Sequence, residues 1–165
     1  MNPILFYSVS EPYGCFSNFA RYPIKLDGEV WATSEHYFQA AKFLNESDRR
    51  AVQSAKSSLM AARIGRDRRR PIRADWNTIK DDVMMRALRA KFDQHSELRE
   101  ILISTGGAEL VEHTKNDSYW GDGGDGSGRN QLGKLLVQLR RVYIDYDNGM
   151  VMDHTVANRG IAGNC

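Results

Sequence analysis

The chain has 165 residues, enough for one domain with a real hydrophobic core. Its 41% hydrophobic and 27% charged content excludes a disordered chain, and no run of about 18–20 apolar residues is present to span a bilayer. A formal net charge of +2 excludes the broad basic field of an extended nucleic-acid face.

The N-terminal stretch to Glu29 is rich in aromatic and turn residues. Ile4 to Tyr7 reads as a short strand. Ile24–Leu26 and Val30–Trp31 flank Asp27-Gly28, a hairpin signal. Thr33 and Ser34 cap a helix expected to reach about Leu44. Ser47 opens a short helix to about Ala55, and Ser57 or Ser58 opens another to about Gly65. Asp75 caps a long helix from Trp76 to about Gln94, with Ile79, Val83, Ala87, Ala90 and Phe92 among its apolar positions. Ser96 caps the next, which stops before Gly106-Gly107. Leu110 to His113 suits a short strand. Gly121 to Gly128 is a glycine-rich loop. An amphipathic helix follows from Arg129 to Tyr143, with Leu132, Leu135, Leu136, Leu139 and Val142 facing a core. The expected architecture is mainly α with a small β element: one domain over residues 1–147 and a flexible tail over 148–165.

No charged-then-apolar secretory leader opens the sequence. Cys15 and Cys165 form neither a disulfide framework nor a zinc spacing. A reducing, cytoplasmic address and no membrane association are therefore expected.

Three segments have residue types suited to chemistry. In the first, Glu35, Gln39 and Lys42 share one helix face, opposite Tyr37, Ala40, Ala41 and Leu44. That face suits a solvated stripe. It equally suits a carboxylate site, because a helix N-terminus lowers the pKa of Glu35 and keeps it ionised. An ionised carboxylate stabilises an oxocarbenium-like centre or activates water. His36, to the side of the stripe, suits packing better than catalysis.

The second segment holds Arg63, Arg66, Arg68, Arg69, Arg70 and Arg73 within eleven residues. Guanidinium forks match phosphate oxygens, so the run is a candidate anion patch unless salt bridges consume it.

The third segment, Asn116 to Gly126, contains two aromatics, three aspartates and four glycines. Glycine N–H groups at Gly121 and Gly123, beside Asp122, can approach an anion closely. A calcium loop starting at Asp117 fails, because Gly128 stands where a Glu is needed. Trp120 suits a stacking platform for a heteroaromatic base. Trp76, just inside a helix start, suits the core or a second aromatic wall.

Tyr13 to Phe19 (with Asn18), Trp31 to Phe43, Ala61 to Arg66, Asp75-Trp76, Asn116 to Gly124 and Asn130 to Gly133 together resemble the NADAR, or YbiA-like, family. The resemblance spans residues 4–145. It implies the mainly helical fold of that family and an N-glycosidase activity. It also implies functional positions at Glu35, Trp76, Asp117 and Trp120. On that basis Arg63 and Arg66 are expected to take a phosphate, helped by the glycine loop. Trp120 and Trp76 hold the heterocycle, and Glu35 stabilises charge at C1′. Asp117 shares that task or orients sugar hydroxyls. No cofactor or metal is called for. Direct attack by water and a Schiff-base route through Lys42 both stay open.

Three functions stay open as well. The first is hydrolysis of early riboflavin-biosynthesis intermediates, releasing ribose 5-phosphate from a small phosphorylated riboside. The second is removal of ADP-ribose from guanine in nucleic acid. The third is non-catalytic binding of ADP-ribose or NAD derivatives.

Overall fold

Asp27 and Gly28 both take positive φ, 55° and 79°, the geometry of a tight type I′ hairpin turn. They join β2 (Ile24–Leu26) to β3 (Glu29–Trp31) in an antiparallel pair, with Ile24 opposite Trp31. The structure is a computed structural model and describes residues 2–149. The tail expected from residue 148 lies, beyond 149, outside the described residues, as does Cys165.

Among the described residues the chain runs β1 (Ile4–Phe6), a 3₁₀ turn (Gly14–Phe16), the β2–β3 hairpin, α1 (Ser34–Ala40), α2 (Glu46–Gln53), α3 (Ser58–Gly65), α4 (Trp76–Gln94), α5 (Ser96–Ser104), β4 (Leu110–Glu112) and α6 (Gln131–Asp147). β1 and β4 pair in parallel, Ile4 with Leu110 and Phe6 with Glu112, which joins the N-terminal strand to one more than a hundred residues later. Asn130 extends this pair with its side chain. Its Nδ2–H donates to the Leu110 carbonyl at 2.8 Å, and its Oδ1 accepts from the Glu112 N–H at 3.0 Å.

The core gathers Phe6, Phe16, Trp31, Phe43, Leu88, Phe92, Leu102, Leu110 and Leu136, all fully or nearly fully buried. Each such side chain contributes roughly 1.5–3 kcal/mol relative to exposure. Val142, expected to face this core, is 38% exposed, and Tyr143 beside it is buried. None of the described helices is long and apolar enough to cross a membrane.

Lys91 on α4 is completely buried. Its Nζ donates to the carbonyls of Cys15 and Ser17 at 2.6 and 2.8 Å. Burial pushes its ammonium down to about 7. It thereby pins the 3₁₀ segment that leads into Asn18.

Some helix ends differ from expectation. Asn45, rather than Ser47, caps α2, its Oδ1 accepting from the Ser47 N–H at 2.8 Å. Asp75 makes no cap hydrogen bond to α4, because its carboxylate is turned to Arg73, with Nε–Oδ1 2.6 Å. Ser96 is the first residue of α5 and does not cap it.

Candidate active site

Helix α1 begins at Thr33, whose extended backbone and Oγ1 cap it by accepting from the His36 N–H at 3.3 Å. It is short, ending at Ala40, and every residue in it is buried. The expected run to Leu44 stops early, and Leu44 itself is 74% exposed. The helix is therefore no amphipathic stripe with an exposed side. It is a buried element whose polar face lines a cavity open to solvent. His36 is held by packing. Its Nε2–H donates to the Ala55 carbonyl at 3.1 Å, which leaves Nδ1 to accept from the Thr33 hydroxyl at 2.8 Å.

The cavity measures about 560 Å³, and Glu35, Gln39 and Lys42 line it from α1 and the turn after it. Asn18 and Arg66 also line it, as do Trp76 at the start of α4 and Asp117 and Trp120 from the long loop. Seven sequence-predicted residues thus meet there: Asn18, Glu35, Lys42, Arg66, Trp76, Asp117 and Trp120. Asn18 ties the N-terminal loop to α1. Its Oδ1 accepts from Ser34 Oγ at 2.9 Å, and its backbone carbonyl accepts from the Glu35 N–H at 3.3 Å.

Burial raises the pKa of Glu35 above the ordinary carboxylate value. A hydrogen bond from Gln39 Nε2 to Oε1 at 2.7 Å, and the charges of Lys42 and Arg66, oppose that rise, while Asp117 adds to it. The lowering expected from the helix N-terminus is not the outcome. Complete burial outweighs a half-charge dipole at the end of a seven-residue helix. Lys42 moves the other way. Burial pushes it down to about 8 against the pull of Glu35. Its Nζ donates to the Gly65 carbonyl at 3.1 Å and sits 5.8 Å from the ring centres of Phe38 and Trp76.

Phe38 stands between the two tryptophans, 5.1 Å from Trp76 and 5.3 Å, edge-on, from Trp120. Trp76 is at once a core residue, 7% exposed, and a wall of the cavity. Asp117 Oδ1 accepts from the N–H groups of Tyr119 and Trp120, at 2.8 and 2.7 Å, so one carboxylate sets the position of the aromatic wall.

The glycine loop does not act as expected. Gly121, Asp122 and Gly123 lie outside the cavity lining, and their neighbourhood is occupied by internal bonds. Asp122 Oδ1 accepts from the N–H groups of Thr114 and Gly124, and Oδ2 pairs with His113 Nδ1 at 2.7 Å. The Asp122 backbone carbonyl takes the N–H groups of Gly126 and Gly128. The Gly123 N–H goes to the Asp117 carbonyl at 3.2 Å, which leaves it unavailable to an anion. Burial opposes ionisation of Asp122, yet the hydrogen bonds from His113, Gly124 and Thr114 hold its carboxyl below the usual range.

The arginine run divides in the same way. Arg69 pairs with Asp67, Arg70 with Asp48 and Arg73 with Asp75. Arg63 is exposed on α3, outside the cavity. Arg66 remains as the arginine of the run that lines it, joined by Lys80, which sequence reasoning missed. Arg66, Lys42 and Lys80 are the groups available to hold a phosphate. Among the described residues, no three His, Cys, Asp or Glu side chains are grouped to hold a metal ion.

Sequence reasoning also missed Glu112, which lines the cavity from the end of β4. Burial, and then the charges of Asp117, Glu35 and Asp122, push its carboxyl up to about 8. Its signal in the sequence is one carboxylate closing the predicted strand Leu110–His113. A second cavity, of about 720 Å³, adjoins the first and shares Tyr7, Phe19, Leu59 and Glu112 with it.

Gly65 is fixed by this packing. A Cβ there would stand 1.9 Å from Gln39 Oε1, a buried acceptor with no partner of its own among the described residues. Gly65→Ala is expected to destabilise the fold by about 1–3 kcal/mol in urea unfolding, because Gln39 cannot retreat without releasing Glu35.

The NADAR domain matches residues 5–142 of the chain. N-glycosidase YbiA of Escherichia coli (strain K12) is 59% identical over 137 residues, covering 83% of this chain and 86% of that protein. Riboflavin biosynthesis protein VVA0006 of Vibrio vulnificus (strain YJ016) is 41% identical over 138 residues, covering 84% of this chain and 38% of that protein. The NMR structure of the E. coli protein YbiA superposes with a TM-score of 0.84 at 54% identity, over 93% of this chain and 91% of that one.

Proposed function

Because the chain belongs to the NADAR family and is an N-glycosidase, we propose that it hydrolyses the C1′–N bond of small phosphorylated ribosides. The substrates proposed are early riboflavin-biosynthesis intermediates, with ribose 5-phosphate as the sugar product. The cavity supports this reading through one juxtaposition. Carboxyls at Glu35 and Asp117, the basic side chains Arg66, Lys42 and Lys80, and the aromatic wall all line one cavity. The name of the Vibrio vulnificus relative supports the choice of pathway.

In this reading the phosphate lies among Arg66, Lys42 and Lys80. The heterocycle packs against Trp120, with Trp76 behind it, and stacking of this kind is worth about 1–3 kcal/mol. As the C1′–N bond lengthens, positive charge grows at C1′. Glu35 stabilises it and directs water. Asp117, immobilised by its own backbone bonds, orients the sugar. Arg63 and the glycine loop take no part.

Lys42 offers a covalent variant. With a pKa near 8, roughly a tenth of it is unprotonated at neutral pH, sufficient for attack on C1′ and ring opening to a Schiff base. Borohydride added during turnover is then expected to trap a ribose phosphate adduct, by mass spectrometry, on the wild type and not on Lys42→Ala. An adduct-free wild type under turnover leaves direct attack by water.

The substrate is tested by side-by-side assay. Ribose 5-phosphate release from the riboflavin intermediates is expected. Release of ADP-ribose from an ADP-ribosylated oligonucleotide, with the riboflavin intermediates untouched, would replace this substrate by the nucleic-acid one.

A further inference from the structure

Two glutamates line the same cavity, Glu35 buried and Glu112 partly buried, and their surroundings contrast. Glu35 has a donor on its Oε1, Gln39 Nε2 at 2.7 Å, and the charges of Lys42 and Arg66 beside it. Those groups suit an anion. Glu112 has none of them. Among the described residues no donor or cation pairs with its carboxyl, and the groups that face it, Asp117, Glu35 and Asp122, are acids. His113, next in the chain, has its Nδ1 engaged by Asp122. Where two carboxyls share a site so unequally, a proton resides on the one without donors.

The stem that carries Glu112 is rigid. Its N–H donates to Asn130 Oδ1 and its carbonyl accepts from the Asp122 N–H, both at 3.0 Å, while the residue pairs with Phe6 across the parallel sheet. A carboxyl on a clamped strand end is held in place better than one on a loop. Its position on the boundary of both cavities gives it substrate on one side and a path to solvent on the other.

We propose that Glu112 is the general acid of the reaction, giving its carboxyl proton to the nitrogen that leaves C1′. The proposal rests on the N-riboside reading above. The C1′–N bond breaks and its electron pair stays on nitrogen, which takes the Glu112 proton. Water forms the new C1′–O bond and passes a proton to the Glu35 carboxylate. Glu112 recovers a proton from water in the second cavity, and Glu35 releases one to solvent. The raised pKa of about 8 keeps Glu112 protonated at neutral pH, and turnover falls as pH rises through that value.

The test is Glu112→Gln, which keeps the shape and removes the acid. On a phosphorylated riboside with an amine leaving group, kcat is expected to fall about 10²–10⁴-fold with KM held within about twofold. On an N-ribosylpyridinium 5-phosphate, whose nitrogen is already cationic and departs without a proton, the loss is expected to stay below about tenfold. The fold survives, since the variant removes a carboxylate that is costly to ionise above pH 8, and its Tm at pH 9 equals or exceeds that of the wild type. Equal losses on both substrates would overturn the role. Wild-type protein that cleaves no phosphorylated N-riboside would instead remove the substrate reading, and this step with it.

Discussion

Glu35→Gln is expected to lower kcat by about 10²–10³-fold while the protein stays folded. The replacement is isosteric, and an amide oxygen still accepts from Gln39 Nε2, so the bond at 2.7 Å within α1 survives. What disappears is the negative charge that opposes Lys42 and Arg66 and meets the cationic C1′. At a side chain this buried an ion contributes far more than it would in water. Saturation kinetics on the riboside, with circular-dichroism melting as the fold control, measure the effect. A folded Glu35→Gln protein turning over at the wild-type rate would remove Glu35 from the mechanism.

Lys91→Ala is expected to destabilise the fold by about 3 kcal/mol at pH 9 and by less at pH 6. At pH 9 the native lysine is largely neutral, since burial holds it at about 7. Truncation then strips the Cys15 and Ser17 carbonyls of their donor and leaves a cavity beneath the aromatic core. At pH 6 the wild type carries a buried ammonium, and the variant is relieved of it. Between about 7 and 10.5 the unfolded chain binds more protons at this position than the folded one. The Lys91 contribution to stability therefore rises with pH across that window and is smallest below it. Urea unfolding of both proteins at the two pH values measures this, and a cost independent of pH would refute it. The variant also loosens the anchor of Asn18, so any loss of activity should follow the loss of order around the N-terminus of α1.

Local signals in the sequence located most elements. Thr33 and Ser57 cap their helices through their own hydroxyls. Asp27-Gly28 makes its turn because both residues accept positive φ. The helices at Trp76–Gln94 and Gln131–Asp147 follow their apolar periodicity. The errors arise where distant chain segments decide the outcome. Asp75 is the local exception, since Arg73, two residues before it, draws its carboxylate away and leaves the helix uncapped. Glu35 was legible as a site residue but not in its ionisation, because its burial comes from Asn18, Gln39 and the walls of the cavity. Glu112 gave almost no signal. Its place in the site depends on β4 finding β1, more than a hundred residues earlier in the chain, and no short motif encodes that pairing. The arginine run illustrates the opposite limit. Its composition suggested an anion patch, but Asp48, Asp67 and Asp75 occupy half of it.

The loop organised by Asp122 has a further consequence. Its glycines give an unfolded chain great freedom, and fixing backbone of this kind costs about 1–2 kcal/mol per residue. Here that ordering is completed during folding, when a single carboxylate gathers the N–H groups of Thr114 and Gly124 and its own carbonyl gathers those of Gly126 and Gly128. The aromatic wall that an arriving riboside meets is likewise set by internal bonds, from the Tyr119 and Trp120 N–H groups to Asp117. The riboside's affinity is spared the entropic loss that a closing flap would impose.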